Sequence, residues 1–302
     1  MKQHSPKPFV KWAGGKSQLI PQIERSLPQG LDSKKDLTYI EPFVGGGAVL
    51  FWLLNRYPNI ERAIINDINP RLIATYRAVK EIPGLLIERL QLLQSEYLPL
   101  DEVERKEYYL RQRERFNTAP MDDTDIAALF IFLNRTGFNG LYRVNSKGHY
   151  NVPHGRYRMP RICDEETIMA DSKILARTTI LCGDFTQTAP YVSENTLFYF
   201  DPPYKPLTQT ASFTAYSKED FTDDDQMRLR DFCNYISEYK SQFILSNSDV
   251  KNADPNDSFF DDLYARFSIR RVVANRMINS VAEKRGKLYE LMISNTPQHQ
   301  HR

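Results

Sequence analysis

The feature that most constrains this chain is the sequence Asp-Pro-Pro-Tyr at residues 201–204, directly after the apolar run Leu-Phe-Tyr-Phe at 197–200. A short apolar run that ends at two prolines predicts a buried strand. In open α/β sheets, ligands bind beyond the carboxyl ends of the strands. We therefore expect an α/β fold whose chemistry is centred on residues 201–204.

The residue types in this turn suit an exocyclic amino group. Proline has no N–H, so the backbone here offers carbonyl oxygens, and an ionised Asp201 is also purely an acceptor. Asp201 and the Pro202 carbonyl can accept both hydrogens of a nucleobase amine and stabilise the positive charge that grows on nitrogen as it attacks a methyl donor. Tyr204 can stack on the base. The alternative is a structural turn in which the tyrosine fills a gap.

A strand, a glycine loop and a helix follow one another near the N-terminus. Residues 37–40 read as a strand, Glu-Pro-Phe-Val-Gly-Gly-Gly follows at 41–47, and the apolar stretch 48–57 reads as a helix. Asp67 ends the next apolar run, at the spacing where an acidic residue meets a ribose hydroxyl. Because Leu50 stands where the dinucleotide fingerprint needs glycine, a nucleoside-type ligand is favoured over a pyrophosphate. A plain tight turn is the structural alternative.

The segment Phe-Val-Lys-Trp-Ala-Gly-Gly-Lys-Ser at 9–17 ends like a Walker A loop and raises an ATPase as an alternative. That loop needs glycine at position 10, which is Val10, and a long apolar strand before it. We expect Lys16 and Trp12 to flank a carboxylate and an adenine ring of one ligand, and Lys11 to meet DNA. An exposed N-terminal turn is the structural alternative.

Taken in chain order, from 9–17 through 41–47 to 201–204, the three motifs resemble those of the Dam-type (class alpha) DNA adenine-N6 methyltransferases, a GATC-modifying family, over residues 9–295. Further agreement lies in Asn-Asp-Ile-Asn at 66–69, Leu-Asn-Arg at 133–135 and Asn-Gly-Leu-Tyr-Arg at 139–143. The resemblance implies a Rossmann-like methyltransferase fold, with a mostly parallel sheet, a terminal antiparallel strand and an inserted helical and β-hairpin target-recognition domain. It implies methyl transfer from S-adenosylmethionine to adenine N6 in double-stranded DNA, by base flipping and direct in-line transfer. S-adenosylhomocysteine is then the product, and no metal is needed.

The resemblance also implies the roles of individual residues. The flipped adenine would be held by the catalytic turn, with an apolar neighbour such as Phe213 on its other face; the turn comprises Asp201, Pro202, Pro203 and Tyr204. The methyl donor would be bound by Trp12, Ala13, Gly14, Lys16, Pro42, Phe43, Gly45, Gly47, Asp67, Asp184, Phe185 and Asp201.

A basic segment without acids supports a nucleic-acid partner independently of the resemblance. Residues 126–163 hold no Asp or Glu in 38 positions, whereas 38 acids in 302 residues would give about 4.8 there. Basic groups neutralise phosphates, and aromatic side chains wedge between or stack on bases. The alternative is a solvated basic loop with aromatic residues in the core.

Residues 141–144 and 149–152 alternate around Asn-Ser-Lys-Gly at 145–148, which predicts a β-hairpin. A two-stranded ribbon fits the major groove, where Arg143 can read guanine while Leu141 and Pro153 touch a thymine methyl. The family likeness makes GATC the expected target, and a neighbouring sequence stays open. The residues expected to bind DNA are Lys11, Arg135, Phe138, Asn139, Leu141, Arg143, Pro153, Arg156 and Tyr157.

We expect catalytic parts at 1–76 and 165–295, a target-recognition domain at 77–164 and a disordered tail at 296–302. Lys284, Arg285 and Lys287 lie on a predicted loop that either meets DNA or is solvated. The net charge of +2, three cysteines without CxxC pairing and no apolar stretch of 18 residues predict a cytoplasmic protein that does not enter a membrane. The resemblance implies that this enzyme is bacterial or phage-encoded and associated with DNA. We expect a monomer or weak dimer, with a cognate restriction endonuclease for the same site as a candidate partner.

Two rival functions belong to other classes. A DNA-binding regulator that has lost turnover would show damage in the glycine loop or the catalytic turn, and both are intact here. In methyltransferases that act on protein glutamine or RNA, the related turn commonly begins with asparagine. Asp201 and the basic hairpin therefore argue against this second function.

Overall fold

The computed structural model of the chain describes residues 5–205, 221–274 and 288–296. The strands in these ranges are β1 (Leu37–Glu41), β2 (Ile60–Ile65), β3 (Thr178–Ile180), β4 (Thr196–Phe200), β5 (Gln242–Ser248), β6 (Ser268–Ala274) and β7 (Leu288–Ser294). These described strands form one seven-stranded sheet in the order β3-β2-β1-β4-β5-β7-β6. Strands β1 to β5 pair in parallel, and β7 runs antiparallel between β5 and β6. The predicted Rossmann-like methyltransferase sheet is therefore confirmed.

Helices flank this sheet on both faces. They are α1 (Ile20–Glu24), α2 (Ala48–Arg56), α3 (Pro70–Glu81), α4 (Pro83–Tyr97), α5 (Glu102–Thr118), α6 (Asp123–Thr136), α7 (Glu165–Leu175), α8 (Asp223–Glu238) and α9 (Phe259–Leu263). Helix α8 begins with a reciprocal cap, in which the Thr222 side chain accepts from the backbone of Asp225 and Thr222 N donates to the Asp225 carboxylate at 3.0 Å. This reciprocal cap satisfies two N–H groups that a helix start leaves unpaired.

Strand β4 buries every one of its residues, because both faces of a central parallel strand are covered by helices. It lies between β1 and β5, with Ile40 opposite Phe198 and Phe200 opposite Leu245. The carboxyl ends of these parallel strands therefore meet at one edge of the sheet. Residues that follow β1, β2 and β4 come together there.

The core of the described residues consists of two apolar clusters, because successive residues of a strand point to opposite faces of the sheet. Tyr39 belongs to one apolar cluster and its neighbour Ile40 to the other. The first cluster continues into the inserted helices, since it includes Tyr97, Phe116 and Phe132. The expected domain boundary after residue 76 falls inside α3, and the boundary at 164 coincides with the N-cap of α7. The inserted helices thus extend the core of the catalytic part.

The predicted hairpin is present but short. Its turn closes with Gly148 N donating to Asn145 O at 2.8 Å, and Val144 pairs with Tyr150 in an isolated antiparallel bridge. On the outer edge, the Asn117 side chain bonds both the N–H of Tyr150 (2.8 Å) and its carbonyl (3.0 Å). A helical side chain therefore takes the place of a further strand and holds the hairpin against α5.

Within the described ranges, no helix is long and apolar enough to cross a membrane. Several predictions from the sequence lie outside the described residues, namely those for Phe213, for the basic loop residues Lys284, Arg285 and Lys287, and for the tail from residue 297.

Candidate active site

The catalytic turn and the N-terminal loop meet through an ion pair. Lys16 Nζ lies 2.8 Å from Asp201 Oδ1. The same ammonium donates to the Gly14 carbonyl at 2.7 Å and sits 4.6 Å from the centre of the Tyr204 ring. Lys16 is buried, at 6% exposure. The two motifs that the sequence separates by 185 positions thus form one polar centre at the end of β4.

Polar side chains of α8 and β5 donate hydrogen bonds to the backbone of the turn and the residue after it. Gln226 Nε2 donates to the Pro203 carbonyl at 3.4 Å, and the Ser248 hydroxyl donates to the Lys205 carbonyl at 3.0 Å. Gln226 is itself held by Asn247 Nδ2 at 3.1 Å, and both amides are fully buried. Because the Pro203 and Lys205 carbonyls are held in this way, the backbone on both sides of Tyr204 has a defined orientation.

Tyr204 is anchored by an acid that the sequence reasoning missed. Its hydroxyl donates to Glu290 Oε2 at 2.7 Å, and Glu290 is buried in β7 opposite Ser248. Burial, together with the charges of Asp201 and Glu290, raises the pKa of Tyr204 well above its usual range, so the phenol stays neutral and donates. In the sequence, Glu290 is distinguished as the one acid within the otherwise apolar run at 288–293.

The glycine loop is held open by hydrogen bonds at both of its Gly45 backbone groups. Gly45 N donates to Asp67 Oδ2 at 3.0 Å, and the Tyr76 hydroxyl donates to the Gly45 carbonyl at 3.0 Å. Gly45 has φ +48°, and a Cβ there would lie 2.8 Å from Trp12 Nε1. The loop therefore needs glycine for its conformation and for close approach. Gly47, at φ +74°, forms the N-cap of α2.

Trp12 lies between the glycine loop and the hairpin. Its indole stacks on Tyr142, with centroids 5.6 Å apart and planes 19° apart, and on Phe130, at 6.4 Å and 16°. Tyr142 stands between the two hairpin residues expected to read DNA. The indole predicted to flank adenine is thus also packed against the hairpin and α6.

The loops after β1 and β3 are joined by Asn66, which the sequence reasoning left without a role. Its Nδ2 donates to the Pro42 carbonyl at 3.0 Å and to the Gly183 carbonyl at 2.8 Å. This bridge brings Phe43 and Phe185 together, with centroids 5.6 Å apart. Phe221, also unassigned from the sequence, packs 5.8 Å from Phe43. The result is an aromatic wall beside Asp67.

Asp184 is the N-cap of the 3-10 helix Phe185–Tyr191. Its Oδ1 accepts from Thr186 N at 3.0 Å, and its Oδ2 lies 3.0 Å from Arg228 Nη2. Burial raises the pKa of Asp184, but these hydrogen bonds lower it more, so the net shift is downward and the carboxylate is ionised. Arg228 was not anticipated, because nothing in the sequence links α8 to this loop.

Glu41 is a second acid that sequence reasoning passed over. It ends β1 at 2% exposure and accepts from the Tyr39 hydroxyl at 2.7 Å. Burial raises the pKa of Glu41 well above its usual range, and the hydrogen bonds from Tyr39 and the Leu50 N–H partly offset that rise. Burial likewise raises the pKa of Asp67, against the hydrogen bonds from Asn69 and Gly45.

The expected DNA-binding residues fall into an ordered group around the hairpin. Lys11 exchanges two backbone hydrogen bonds with the Asn134 side chain, both at 2.8 Å, and its ammonium lies 5.2 Å from the Tyr157 ring centre. Arg143 Nε donates to Asn151 Oδ1 at 2.7 Å. Phe138 is 49% exposed, and its N–H donates to the Pro153 carbonyl at 2.8 Å. Lys11 and the hairpin thus belong to one connected surface.

Two of the residues expected to contact DNA also have protein partners. Arg135 Nη2 donates to the Phe9 carbonyl at 2.8 Å, and burial lowers the pKa of this guanidinium. Arg156 lies 3.8 Å from Glu102, and both side chains are largely exposed. Of the predicted contacts, Arg135 is the one that the geometry supports least, because its guanidinium braces the N-terminal segment.

The cleft suits S-adenosylmethionine by its chemistry. A ribose hydroxyl can donate to Asp67, an adenine ring can lie on Phe43 and Phe185, and a carboxylate can meet Lys16. A Cβ at Gly45 would lie 2.8 Å from Trp12 Nε1, so glycine at this position lets the indole pack against the loop. In the described part of the chain, no group of three or more His, Cys, Asp or Glu residues is placed to hold a metal ion.

Comparison with known proteins agrees with this geometry. The sequence profile of the D12 class N6 adenine-specific DNA methyltransferases matches residues 12–278. The type II methyltransferase M.MjaIII of Methanocaldococcus jannaschii is 50% identical over 292 residues, covering 96% of this chain and 99% of that protein. M1.LlaDCHI of Lactococcus lactis is 38% identical, with coverages of 96% and 95%. The DNA adenine methylase of Escherichia coli K12 is 34% identical, with coverages of 94% and 93%.

The profile spans the N-terminal loop, the glycine loop and the catalytic turn, and the relatives align over nearly their whole length. The donor of such enzymes is S-adenosylmethionine, and their substrate is DNA. The chain therefore belongs to the D12 class of N6 adenine-specific DNA methyltransferases.

Proposed function

We propose that this methyltransferase modifies adenine within GATC in duplex DNA, and that residues 201–204 hold the extruded base. The observation that carries the catalytic assignment is the Asp201–Lys16 pair at the end of β4, with an N–O distance of 2.8 Å. It brings an acceptor for the amine beside the loop assigned to the donor. The target assignment is supported by the likeness to proteins named DNA adenine methylase and by the Arg143 hairpin.

S-adenosylmethionine supplies an electrophilic methyl group. The chain's own residues prepare the amine: Asp201 Oδ and the Pro202 carbonyl each accept one of its hydrogens, which localises the nitrogen lone pair. Their negative character also stabilises the charge that grows on nitrogen. Since both acceptors are fixed before the base arrives, they need little reorganisation during the reaction. No covalent intermediate on the enzyme is required.

When the amine binds, the Asp201 carboxylate must accept hydrogen bonds from both the amine and Lys16. The ammonium occupies Oδ1 in the free protein, and a carboxylate has two oxygens with about four acceptor positions. Lys16 therefore compensates the charge of the Asp201 carboxylate and leaves acceptor capacity for the base. Tyr204, in contact with Lys16, offers the ring on which the base stacks.

The target is read from the hairpin side. Arg143, oriented by Asn151, contacts a guanine edge, and Leu141 with Pro153 contacts a thymine methyl. The exposed ring of Phe138 occupies the gap that the extruded base leaves. Lys11, Asn139, Arg156 and Tyr157 complete the contact surface.

We further propose that the enzyme acts as a monomer, since the two strands of a symmetric site can be methylated separately. A DNA substrate implies that it works in the cytoplasm of a bacterial host. The names of the type II relatives support a cognate restriction endonuclease for the same site. Residues 77–164 serve as the target-recognition region.

The test is transfer of label from S-adenosylmethionine to two duplexes, one with a single GATC and one with that adenine replaced by thymine on both strands. Label recovered as N6-methyladenine only from the first duplex supports both reaction and target. Equal labelling keeps the reaction and overturns GATC. If neither duplex nor genomic DNA is labelled, a DNA-binding role without turnover replaces the proposal.

A further inference from the structure

The Tyr204 side chain is held at both ends. At its far end the hydroxyl donates to Glu290 Oε2 at 2.7 Å, and over its ring the Lys16 ammonium lies 4.6 Å from the centroid. Lys16 in turn contacts Asp201 at 2.8 Å. These contacts connect the antiparallel strand β7 with the catalytic aspartate on the other side of β5.

Glu290 is an unusual residue to find at this position. It stands in β7 between apolar residues and pairs with Ser248 of β5 and Val272 of β6, so it lies in the interior of the sheet. It is only 6% exposed. Burying a carboxylate costs free energy unless the group is hydrogen-bonded, so a carboxylate at this position requires a hydrogen-bond donor. The Tyr204 hydroxyl is such a partner.

We propose that Glu290 is a positioning residue for methyl transfer, which fixes the ring of Tyr204 in the plane against which the target adenine stacks. The proposal rests on the role given to Tyr204 in the proposed function. A tyrosine has two side-chain torsions. The hydrogen bond to Glu290 holds the hydroxyl oxygen and so restrains the first. The second, which sets the ring plane, is restrained because a phenolic O–H lies in the plane of its ring and because the Lys16 ammonium lies over the ring face. Without Glu290 the hydroxyl must find another acceptor, and the nearby Asp201 carboxylate is also the acceptor that the amine needs.

The experiment compares Glu290→Gln, Glu290→Ala, Tyr204→Phe and the double variant Glu290→Ala/Tyr204→Phe. Base extrusion is measured by the fluorescence of 2-aminopurine placed at the target adenine, with S-adenosylhomocysteine present. kcat is measured on the unsubstituted duplex, and S-adenosylhomocysteine affinity by calorimetry. Circular dichroism checks that each variant is folded.

Loss of a hydrogen-bond partner within the site should lower kcat and the fluorescence gain about tenfold in Glu290→Ala. Glu290→Gln keeps an acceptor oxygen and should remain within about threefold of the wild type. Because Glu290 acts through the hydroxyl, its removal should add nothing in the Tyr204→Phe background. Affinity for S-adenosylhomocysteine should not change in any of these variants.

Three results would overturn the proposal. Glu290→Ala could match the wild type, or it could cost as much in the Tyr204→Phe background as in the wild type. Tyr204→Phe could also match the wild type, which decides the matter even if Glu290→Ala does not fold. A separate control, Tyr204→Ala, tests the stacking role itself. Full extrusion and turnover in that variant would overturn the base-holding assignment along with the role of Glu290.

Discussion

Lys16 Nζ and Asp201 Oδ1 form a 2.8 Å ion pair in which the lysine side chain is 7% exposed and the aspartate 22%. A cation with so little access to water depends on its partner carboxylate, because removing one member of such a pair leaves an uncompensated charge. The pair also ties the N-terminal loop to the catalytic turn. The pair therefore links the loop assigned to donor binding with the turn assigned to chemistry, and variants must separate the two roles.

Asp201→Asn should separate them. The amide keeps the shape of the side chain but brings an N–H group to where the amine requires an acceptor, so kcat should fall by about 100-fold or more, as when a preorganised transition-state contact is lost. Affinity for S-adenosylhomocysteine, measured by calorimetry, should stay within about threefold of the wild type. Weak donor binding with retained turnover would contradict the catalytic assignment of Asp201.

Gly45→Ala should weaken donor binding. Alanine in the left-handed region costs about 1 to 2 kcal/mol, and its Cβ would lie 2.8 Å from Trp12 Nε1. We expect the Kd for S-adenosylhomocysteine to rise by about tenfold or more, since the loop must move to relieve this contact. The matched control is Gly84→Ala near the start of α4, where a Cβ meets nothing within 4 Å. Equal affinities in the two variants would remove the glycine loop from the donor site.

The sheet and its catalytic edge could be predicted from sequence because both depend on local signals. The apolar run of β4 and the prolines after it are contiguous in the chain, and so are the glycine loop and α2. Glu290 and Arg228 were missed for the opposite reason. Their roles arise from the antiparallel insertion of β7 beside β5 and from the approach of α8 to Asp184. Neither contact has a spacing that the sequence displays.

For two residues, the contacts in the structure differ from, or go beyond, those that the residue type predicts. Arg135 belongs to the basic segment, and composition predicts a phosphate contact there. Its guanidinium instead donates to the Phe9 carbonyl, because α6 turns that face of the helix toward the N-terminal segment. Trp12 was expected from its aromatic ring to flank a ligand, and it also stacks on Tyr142. Composition identifies the surface, whereas the direction of each side chain depends on packing.

Arg143→Ala should relax target choice at one base pair. Arg143 Nε is held by Asn151 Oδ1 at 2.7 Å, which orients the guanidinium. Loss of one bidentate contact should reduce discrimination there by about 1 to 3 kcal/mol. The measurement is kcat/KM on duplexes that carry each single substitution of GATC. Lys147→Ala, at an exposed position of the same hairpin turn, is the control and should leave discrimination unchanged. A uniform loss across all duplexes for Arg143→Ala would make Arg143 a phosphate contact.

Asp171 gives the protein a pH-dependent stability unrelated to catalysis. It is fully buried on α7, where Oδ1 accepts from Lys7 N at 3.0 Å and Oδ2 has no hydrogen-bond partner among the described residues. Burial raises the pKa of Asp171 to about 8, and the charge of Asp164 adds to the rise while the Lys7 N–H opposes it. The unfolded chain releases this proton near pH 3.9. The folded protein therefore binds one more proton between about pH 4 and pH 8, and its stability falls as the pH rises through that window.

Asp171→Asn should remove this part of the pH dependence, because an amide keeps the acceptor for Lys7 N and does not ionise. Urea unfolding at pH 8.5 should show the variant more stable than the wild type by about 1 to 3 kcal/mol, the usual cost of a buried polar group left unsatisfied. The difference should be smallest at about pH 4, where the unfolded chain still keeps about half of this proton, and should grow as the pH rises. Glu107→Gln, at an exposed position on α5, should follow the wild type at both pH values. A variant less stable than the wild type at pH 8.5 would mean that the Asp171 carboxylate stabilises the fold as an anion, in conflict with its burial.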